Sequence, residues 1–376
     1  MAYSPSKDVN VDSKDMRKII FYAPLGKDTP KEKIGGAEAG CLKTKKIYED
    51  AGLNVIVLEK PAMSRGKLRF ALEMLFTPLR LFRLCKKHGK GVPVHIVGFY
   101  TKIAGFERLL MKIAHFCGNK VIYELRNGSM VLTYKEGTDK YRKTLRDLLL
   151  QPEVVLCQGQ EYVDFIKEKW GVERQYYPNY IMDEFIQPNN IYRGNQINII
   201  YFGRVTKSKN VDVIIETLWL LRKSGMDARL DVIGGYSDKY KQELDSIVRK
   251  LNVDNQVSFY GRQPFDFIAN KLRSSHYFVF PSTEKQEGHS NSLTEAMGCG
   301  VVPIVSKAGF NVSICGCSDL VVEEITASKF AERIIDIENK GKWREYSSFV
   351  YDRILNNFTQ TVVGNKLIAY IEKLWK

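Results

Sequence analysis

Short apolar runs, each closed by a turn of small or polar residues and followed by a stretch of helical spacing, constrain this chain more than any other feature of it. RKIIFYAPLG, NVIVLEKP, VPVHIVGF, KVIYELRN and EVVLCQG come first, with helices expected over 36–51, 102–117, 138–150 and 160–170. Unbroken apolar runs are the mark of strands buried on both faces, and strand–helix alternation builds a parallel sheet. The stretch QYYPNYIMDEFIQPNNIYRGN, rich in Asn, Pro and Tyr, has neither period and reads as a linker. Alternation restarts at residue 196 with QINIIYFGR and continues through ARLDVIGG, QVSFYGR, YFVFPS, VVPIVS and DLVVEE to a long helical tail over 343–376. The expected fold class is α/β, with two doubly wound Rossmann-like domains at 1–190 and 191–376. A length of 376 residues agrees, because one hydrophobic core stops growing at shorter lengths.

In open parallel sheets ligands bind beyond the carboxyl ends of the strands, so the residues that follow each strand carry the functional argument. After QINIIYFGR comes VTKSKNVDVII, where Gly203 ends the strand and Arg204 and Lys209 flank a polar loop that opens a helix. A planar fork of donors, a point charge and the free amides of a helix start together suit a diphosphate. The same loop also reads as a solvated surface turn.

EGHSNSLTEAMGCGVVPIV places Glu287 and Glu295 eight residues apart behind another strand tip. Ser292 to Glu295 spells S-x-x-E, which predicts a capping box with the helix starting near Ser292 and gives Glu295 a structural explanation. Glu287 has none. Amides near Ser292 and Leu293 suit phosphate oxygens, and carboxylates accept hydrogen bonds from sugar hydroxyls, so one strip of chain has the groups to hold both ends of a nucleotide sugar. In the first half KIGGAEAG follows the first strand, and Gly35 and Gly36 open a helix toward the ligand side, or merely enter it. The pattern is not G-x-G-x-x-G, which weakens a dinucleotide reading.

The seven cysteines stand in apolar runs without metal-ligand spacing and read as reduced core thiols; no metal is expected. Of the five histidines, His95 and His115 read as satisfied core residues, and His289, two residues from Glu287, is the one placed to reach a ligand. The polar N-terminus lacks the apolar core of a secretion signal, and no run approaches a membrane span, so the expected location is the cytoplasm.

A net charge of +14 is concentrated in the first half, and residues 64–112 alone hold 11 basic against 2 acidic side chains. Within that segment Leu68, Leu72, Leu75, Phe76, Leu79 and Phe82 can gather on one helical face. Arg65, Lys67, Arg69, Arg80, Arg83, Lys86, Lys87 and Lys90 lie around it. Residues 64–90 therefore read as a surface for an anionic membrane, at the inner face of the plasma membrane, or as a core helix with a basic solvated side.

Gly-Gly after strand one, Gly203-Arg204 with Lys209, and the E-x7-E pair Glu287 and Glu295 together resemble the retaining GT-B glycosyltransferases of family four, the glycosyl transferases group 1. The resemblance covers nearly the whole chain in element order and is tightest over 196–306. It implies two Rossmann-like domains facing across a cleft, with the C-terminal helix returning toward the N-terminal domain. It implies a nucleotide-diphospho-sugar as donor substrate, no cofactor, and transfer of a hexose to a glycan or lipid-linked acceptor with retention, as in cell-surface polysaccharide or glycolipid synthesis. By the same resemblance Arg204 and Lys209 hold the diphosphate, and Glu287 contacts the sugar hydroxyls. Asn291, Ser292 and Leu293 offer backbone to phosphates and sugar, Glu295 meets the ribose, and Gly36 approaches the phosphate from the opposite domain. Gly203, Arg262 and His289 complete the donor set.

Where many relatives have His or Asp near the tip of the fourth strand, this chain has Glu124, Arg126 and Asn127, of which Arg126 and Asn127 stand as acceptor-side residues. Ser290 stands where relatives often have Gly. Two other readings stay open: a GT-B sugar-nucleotide epimerase, which would act on donor alone, and a non-catalytic partner that binds nucleotide or lipid within a biosynthetic complex.

Overall fold

In a computed structural model the residues described are 17–27, 36–62, 66–187, 196–284 and 286–375. Gly35, Arg65, the 190/191 boundary and the N-terminal tail lie outside them.

The first half opens with β1 (Lys18–Ala23), α1 (Gly36–Asp50), β2 (Asn54–Glu59), α2 (Lys67–His88), β3 (Val94–Gly98) and α3 (Ala104–Phe116). It continues through β4 (Val121–Leu125), α4 (Met130–Glu136), α5 (Asp139–Leu150), β5 (Val154–Cys157), α6 (Gln160–Trp170) and the short β6 (Gln175–Tyr176). The second half begins with β7 (Gln196–Phe202), α7 (Val211–Lys223), β8 (Asp227–Ile233), α8 (Asp238–Lys250), β9 (Val257–Phe259) and α9 (Phe265–Leu272). It ends with β10 (Tyr277–Phe280), α10 (Asn291–Gly298), β11 (Val302–Ser306), α11 (Asn311–Cys315), β12 (Val321–Val322), α12 (Ala327–Asn339), α13 (Trp343–Asn357) and α14 (Gln360–Glu372).

These strands form two six-stranded sheets, in the orders β2-β1-β3-β4-β5-β6 and β12-β11-β10-β7-β8-β9. The registered pairs are parallel, for example Phe278 against Ile200 and Ile200 against Asp231. Burial explains the apolar runs: every residue of β3, β4, β5, β10 and β11 is buried. In the second sheet the order reverses direction between β7 and β10, which is where a doubly wound sheet opens a crevice at its strand tips.

The chain packs as two units. One comprises Met1–Arg126, Tyr134–Leu156 and Leu367–Lys376, and the other Asn127–Thr133 and Cys157–Lys366. The C-terminal residues thus rejoin the first unit. The helical tail is two helices rather than one, because Phe358 O accepts from Ile181 N at 2.9 Å and Ile181 O accepts from Gln360 N at 2.9 Å, which takes Phe358 O and Gln360 N out of the helical ladder.

All seven cysteines are unpaired and six of them are buried. Among the described residues no group of three or more His, Cys, Asp or Glu could hold a metal ion, and no helix is long and apolar enough to cross a membrane.

Candidate active site

The switch point of the second sheet is built by the tips of β7 and β10. Gly203 follows β7 at φ 139°, backbone that side chains rarely adopt, and donates its N–H to Ile233 O at 3.0 Å. The loop after it is tied to the loop after β10: Asn210 Nδ2 donates to Pro281 O at 2.7 Å and Thr283 N to Ser208 O at 2.8 Å. These bonds bring the Lys209 loop against the Glu287 loop.

Lys209 is 5% exposed, so its charge must be answered from within the protein. Its Nζ pairs with Glu287 Oε2, lies 3.4 Å from Ser282 Oγ and sits 5.1 Å from the centroid of the Phe280 ring. Ser282 Oγ donates to the same Glu287 oxygen at 2.8 Å. Sequence reasoning gave Lys209 and Glu287 separate duties; the structure joins them, 78 residues apart, in one cluster with Ser282. Burial, and after it the Glu287 charge, pushes the neighbouring Tyr201 phenol above its ordinary range. Its O–H donates to Arg204 O at 2.6 Å.

Arg204 is different in kind. Its side chain is 71% exposed, and its nearest countercharge is Glu284, at 3.7 Å, which also accepts from Ser208 Oγ at 2.9 Å. A cation held this loosely in water is available to an incoming anion. Ser282 and Glu284 are the site residues that motif reading missed, although Ser282 directly follows the β10 run YFVFP and Glu284 is two residues further on.

Alongside stands the N-terminus of α10. The capping residue is Ser290, whose Oγ accepts from Leu293 N at 3.3 Å. The box on Ser292 and Glu295 is therefore not formed: with Ser290 as the cap, Leu293 holds the third helical position and Glu295 is half-buried farther along the helix. Ser290 wins because the residue before it is fixed, His289 O accepting from Asn179 Nδ2 at 2.8 Å, which leads the chain into the helix in an extended conformation. Leu293 N–H is taken by this cap, and among the described hydrogen bonds the amides of Asn291 and Ser292 donate to nothing. Ser292 Oγ lies 3.1 Å from Ser290 Oγ and borders Gly203.

His289 is 4% exposed, its ring 5.2 Å from that of Phe358 and its Nδ1 3.4 Å from Thr294 Oγ1, so its surroundings are those of a core residue. Arg262 is exposed and packs across Gly235 at the tip of the neighbouring β8. Gly36 is the exposed first residue of α1, in the first unit.

Arg126 is 5% exposed in that same unit. Its Nε lies 2.5 Å from Glu124 Oε1, and its guanidinium fills the space a Cβ on Gly40 would need. Glu124 Oε2 in turn meets His95 Nε2 at 3.1 Å, and His95 Nδ1 is 2.9 Å from Tyr48 Oη. Burial would raise the Glu124 carboxyl; Arg126 and His95 outweigh it and hold it below the usual carboxylate range. Asn127 belongs to the second unit and has φ 115°.

Two doubly wound parallel sheets, with the Lys209–Glu287 pair and the start of α10 at the switch point of the second, are the architecture of GT-B proteins. The comparisons agree on the fold: a glycosyltransferase from Rickettsia africae superposes with a TM-score of 0.74 at 16% identity, over 96% of this chain and 99% of that one. Anabaena Alr3699/HepE in complex with UDP superposes with 0.70 at 13% identity, over 95% and 100%. Residues 182–348 match the family described as Glycosyl transferases group 1. The capsular polysaccharide biosynthesis glycosyltransferase CapH of Staphylococcus aureus is 24% identical over 170 residues, 43% of this chain and 46% of that one. The chain spans about half the length of the curated relatives it matches.

Proposed function

We propose that the chain is a glycosyltransferase of polysaccharide or glycolipid synthesis that moves a hexose from a nucleotide-diphospho-sugar to a glycan or lipid-linked acceptor with retention. The observation that carries this reading is the Lys209–Glu287–Ser282 cluster at the switch point, with exposed Arg204 and the α10 amides beside it. CapH, named for capsular polysaccharide biosynthesis, and HepE, solved with UDP, support the pathway and the donor class.

On arrival of the donor, phosphate oxygens compete with Glu287 for the Lys209 ammonium, and the released carboxylate accepts from sugar hydroxyls. Arg204 and the amides of Asn291 and Ser292 take the remaining phosphate oxygens. As the bond from the anomeric carbon to the phosphate oxygen breaks, the electron pair stays on that oxygen. Charge developing there is met by cations already in place, which is the largest single term such a site supplies. Attack by the acceptor hydroxyl from the same face forms the new bond, and the departing phosphate oxygen takes the hydroxyl proton. Lys209 and Arg204 supply the charge that a divalent ion would otherwise bring. Glu295 toward the ribose and Arg262 toward the donor complete the proposed set; Arg126, buried and paired with Glu124, is held away from an acceptor.

The proposed partner surface is a cytoplasmic, anionic membrane face met by α2. Leu68, Leu72, Leu75, Phe76 and Leu79 are exposed there, Leu68 to 77% and Leu75 to 70%, while Thr77, Leu81 and Cys85 face inward. Arg69, Arg80, Arg83, Lys86, Lys87 and Lys90 are exposed beside them. Helix α3 packs on α2 and adds Leu109 and Phe116, the latter 79% exposed.

Thermal-shift titration against a panel of nucleotide sugars tests the donor, since a ligand that binds only the folded state raises its melting point. Glu287→Ala should lose transfer, and because it leaves the buried Lys209 charge unanswered it should also melt lower than wild type, so its fold is checked by circular dichroism. A panel that shifts nothing, or a fully active Glu287→Ala, would refute the reading.

A further inference from the structure

Glu287 is positioned by a part of the chain that no motif marks. Gly128 N donates to Gln286 O at 3.3 Å, and a Cβ on Gly128 would stand 1.7 Å from Glu287 O and 2.3 Å from its carbonyl carbon. From another element Gly309, at φ 54°, closes on the same oxygen, where an added Cβ would stand 2.0 Å away. The next residue is held as well: a Cβ on Gly288 would lie 2.6 Å from Gln158 Oε1, which accepts from His289 N at 3.4 Å. Gln158 is itself fixed through Asn179 at 2.9 Å.

The two glycine walls are joined by one side chain. Tyr162 Oη donates to Asn127 O at 2.6 Å and accepts from Met130 N at 2.9 Å, while its ring packs edge-on against Phe310, centroids 4.9 Å apart, next to Gly309. Asn127 holds a left-handed φ of 115° that a non-glycine residue adopts only under constraint. Its Oδ1 accepts from both Ser129 N and Ser129 Oγ at 3.1 Å, which fixes the turn. All of these residues belong to the second unit.

We propose that the Asn127–Ser129 turn is a positioning strap for Glu287. It clamps the Glu287 peptide against Gly309, so that the carboxylate has one place to stand, beside Lys209 and Ser282, when the sugar arrives. The proposal rests on the glycosyltransferase reading and adds to it the residues that set sugar recognition. A displacement of about 1 Å at a reacting group can cost orders of magnitude in rate, and the Cβ of Gly128→Ala, 1.7 Å from Glu287 O, requires the Glu287 peptide or the turn against it to give way.

The test compares wild type, Gly128→Ala, Asn127→Gly and Asn127→Asp. Calorimetric titration uses UDP, UDP-glucose, GDP and GDP-mannose as probes, and turnover is followed as hydrolysis of the sugar nucleotide, with water taking the sugar and the nucleoside diphosphate released. Gly128→Ala is expected to bind the nucleoside diphosphate as wild type does, to lose the extra affinity contributed by the sugar, and to fall by about tenfold or more in turnover. Asn127→Gly removes both the strain and the Oδ1 anchor, so it should melt no lower than wild type and still turn over more slowly. Asn127→Asp keeps the anchor and should restore the rate. Gly128→Ala and Asn127→Gly with wild-type turnover and sugar affinity would overturn the strap. So would loss of diphosphate affinity in parallel with sugar affinity, which is general damage. If Gly128→Ala does not fold, a wild-type rate in Asn127→Gly suffices to overturn it. A wild type that binds none of the four probes sinks the functional reading instead, and the strap with it.

Discussion

At the level of single residues, what decides the site is how buried charge is answered. Lys209 and Glu287 answer each other across 78 positions, and no spacing rule reaches that far, which is why the motifs show both residues but not their pairing. The cap on α10 is a nearer miss. Ser290 and Ser292 both have the chemistry, and the choice between them is made by Asn179, which a local pattern does not contain. Glu124 makes the same point in the first unit and yields a prediction. Its carboxyl is held below its reference value of 4.5 in the fold, so the stability it contributes is complete above that value and is lost as the pH falls through the folded pKa. Glu124→Gln leaves Arg126 and His95 buried without their anion and should cost roughly 3 kcal/mol at neutral pH. On acidification wild type should lose stability faster than the variant, so that the gap narrows. Urea melts across the acid range would show it, and a gap independent of pH would contradict it.

Elements were legible where one period dominated. The strands and the helices α1, α3, α5 and α6 fall within a few residues of the apolar runs and periodic stretches that announce them, because a strand buried on both faces has little freedom of composition. Short α4 and β6, and the break between α13 and α14, were not legible. The break in particular has neither Pro nor Gly behind it and exists because Ile181 pairs with the backbone on either side. On α2 the pattern shows one apolar stripe, whereas the helix has two: an inner one through Leu81 and Cys85, and an outer one from Leu68 to Leu79 that stays uncovered among basic residues. An outer stripe of this kind binds by apolar insertion plus attraction to anionic headgroups. Neutralising Arg80, Arg83, Lys86 and Lys87 together should release the protein from phosphatidylserine vesicles, each charge being worth about 1 kcal/mol at the surface. Leu68→Asp with Leu75→Asp should release it even at low salt. Flotation assays in which both variants remain bound would refute the membrane face.

For the molecule as a whole, the two rounds of alternation announce two sheets, and the sheets are there. Which residues belong to which unit is not announced, because membership depends on contacts between segments far apart in sequence. The turn after β4 and the residues from Cys157 onward pack with the second unit, and Leu367–Lys376 packs with the first. That last segment is well anchored: Leu367 and Ile371 are fully buried, Leu374 is 5% exposed, and Arg17 lies 5.6 Å from the Trp375 ring centroid. Ending the chain after Lys366 removes three buried aliphatic side chains and should cost the first unit roughly 5 kcal/mol or more, a large part of what holds an ordinary domain together. Differential scanning calorimetry should show one transition moved down and the other kept; an unmoved pair would contradict it. The same threading bears on biogenesis. Translation runs from the first residue onward, so a nascent polypeptide has finished every segment of the second unit before the ribosome has decoded the closing piece of the first, and the half that starts emerging earliest is the last to be completed.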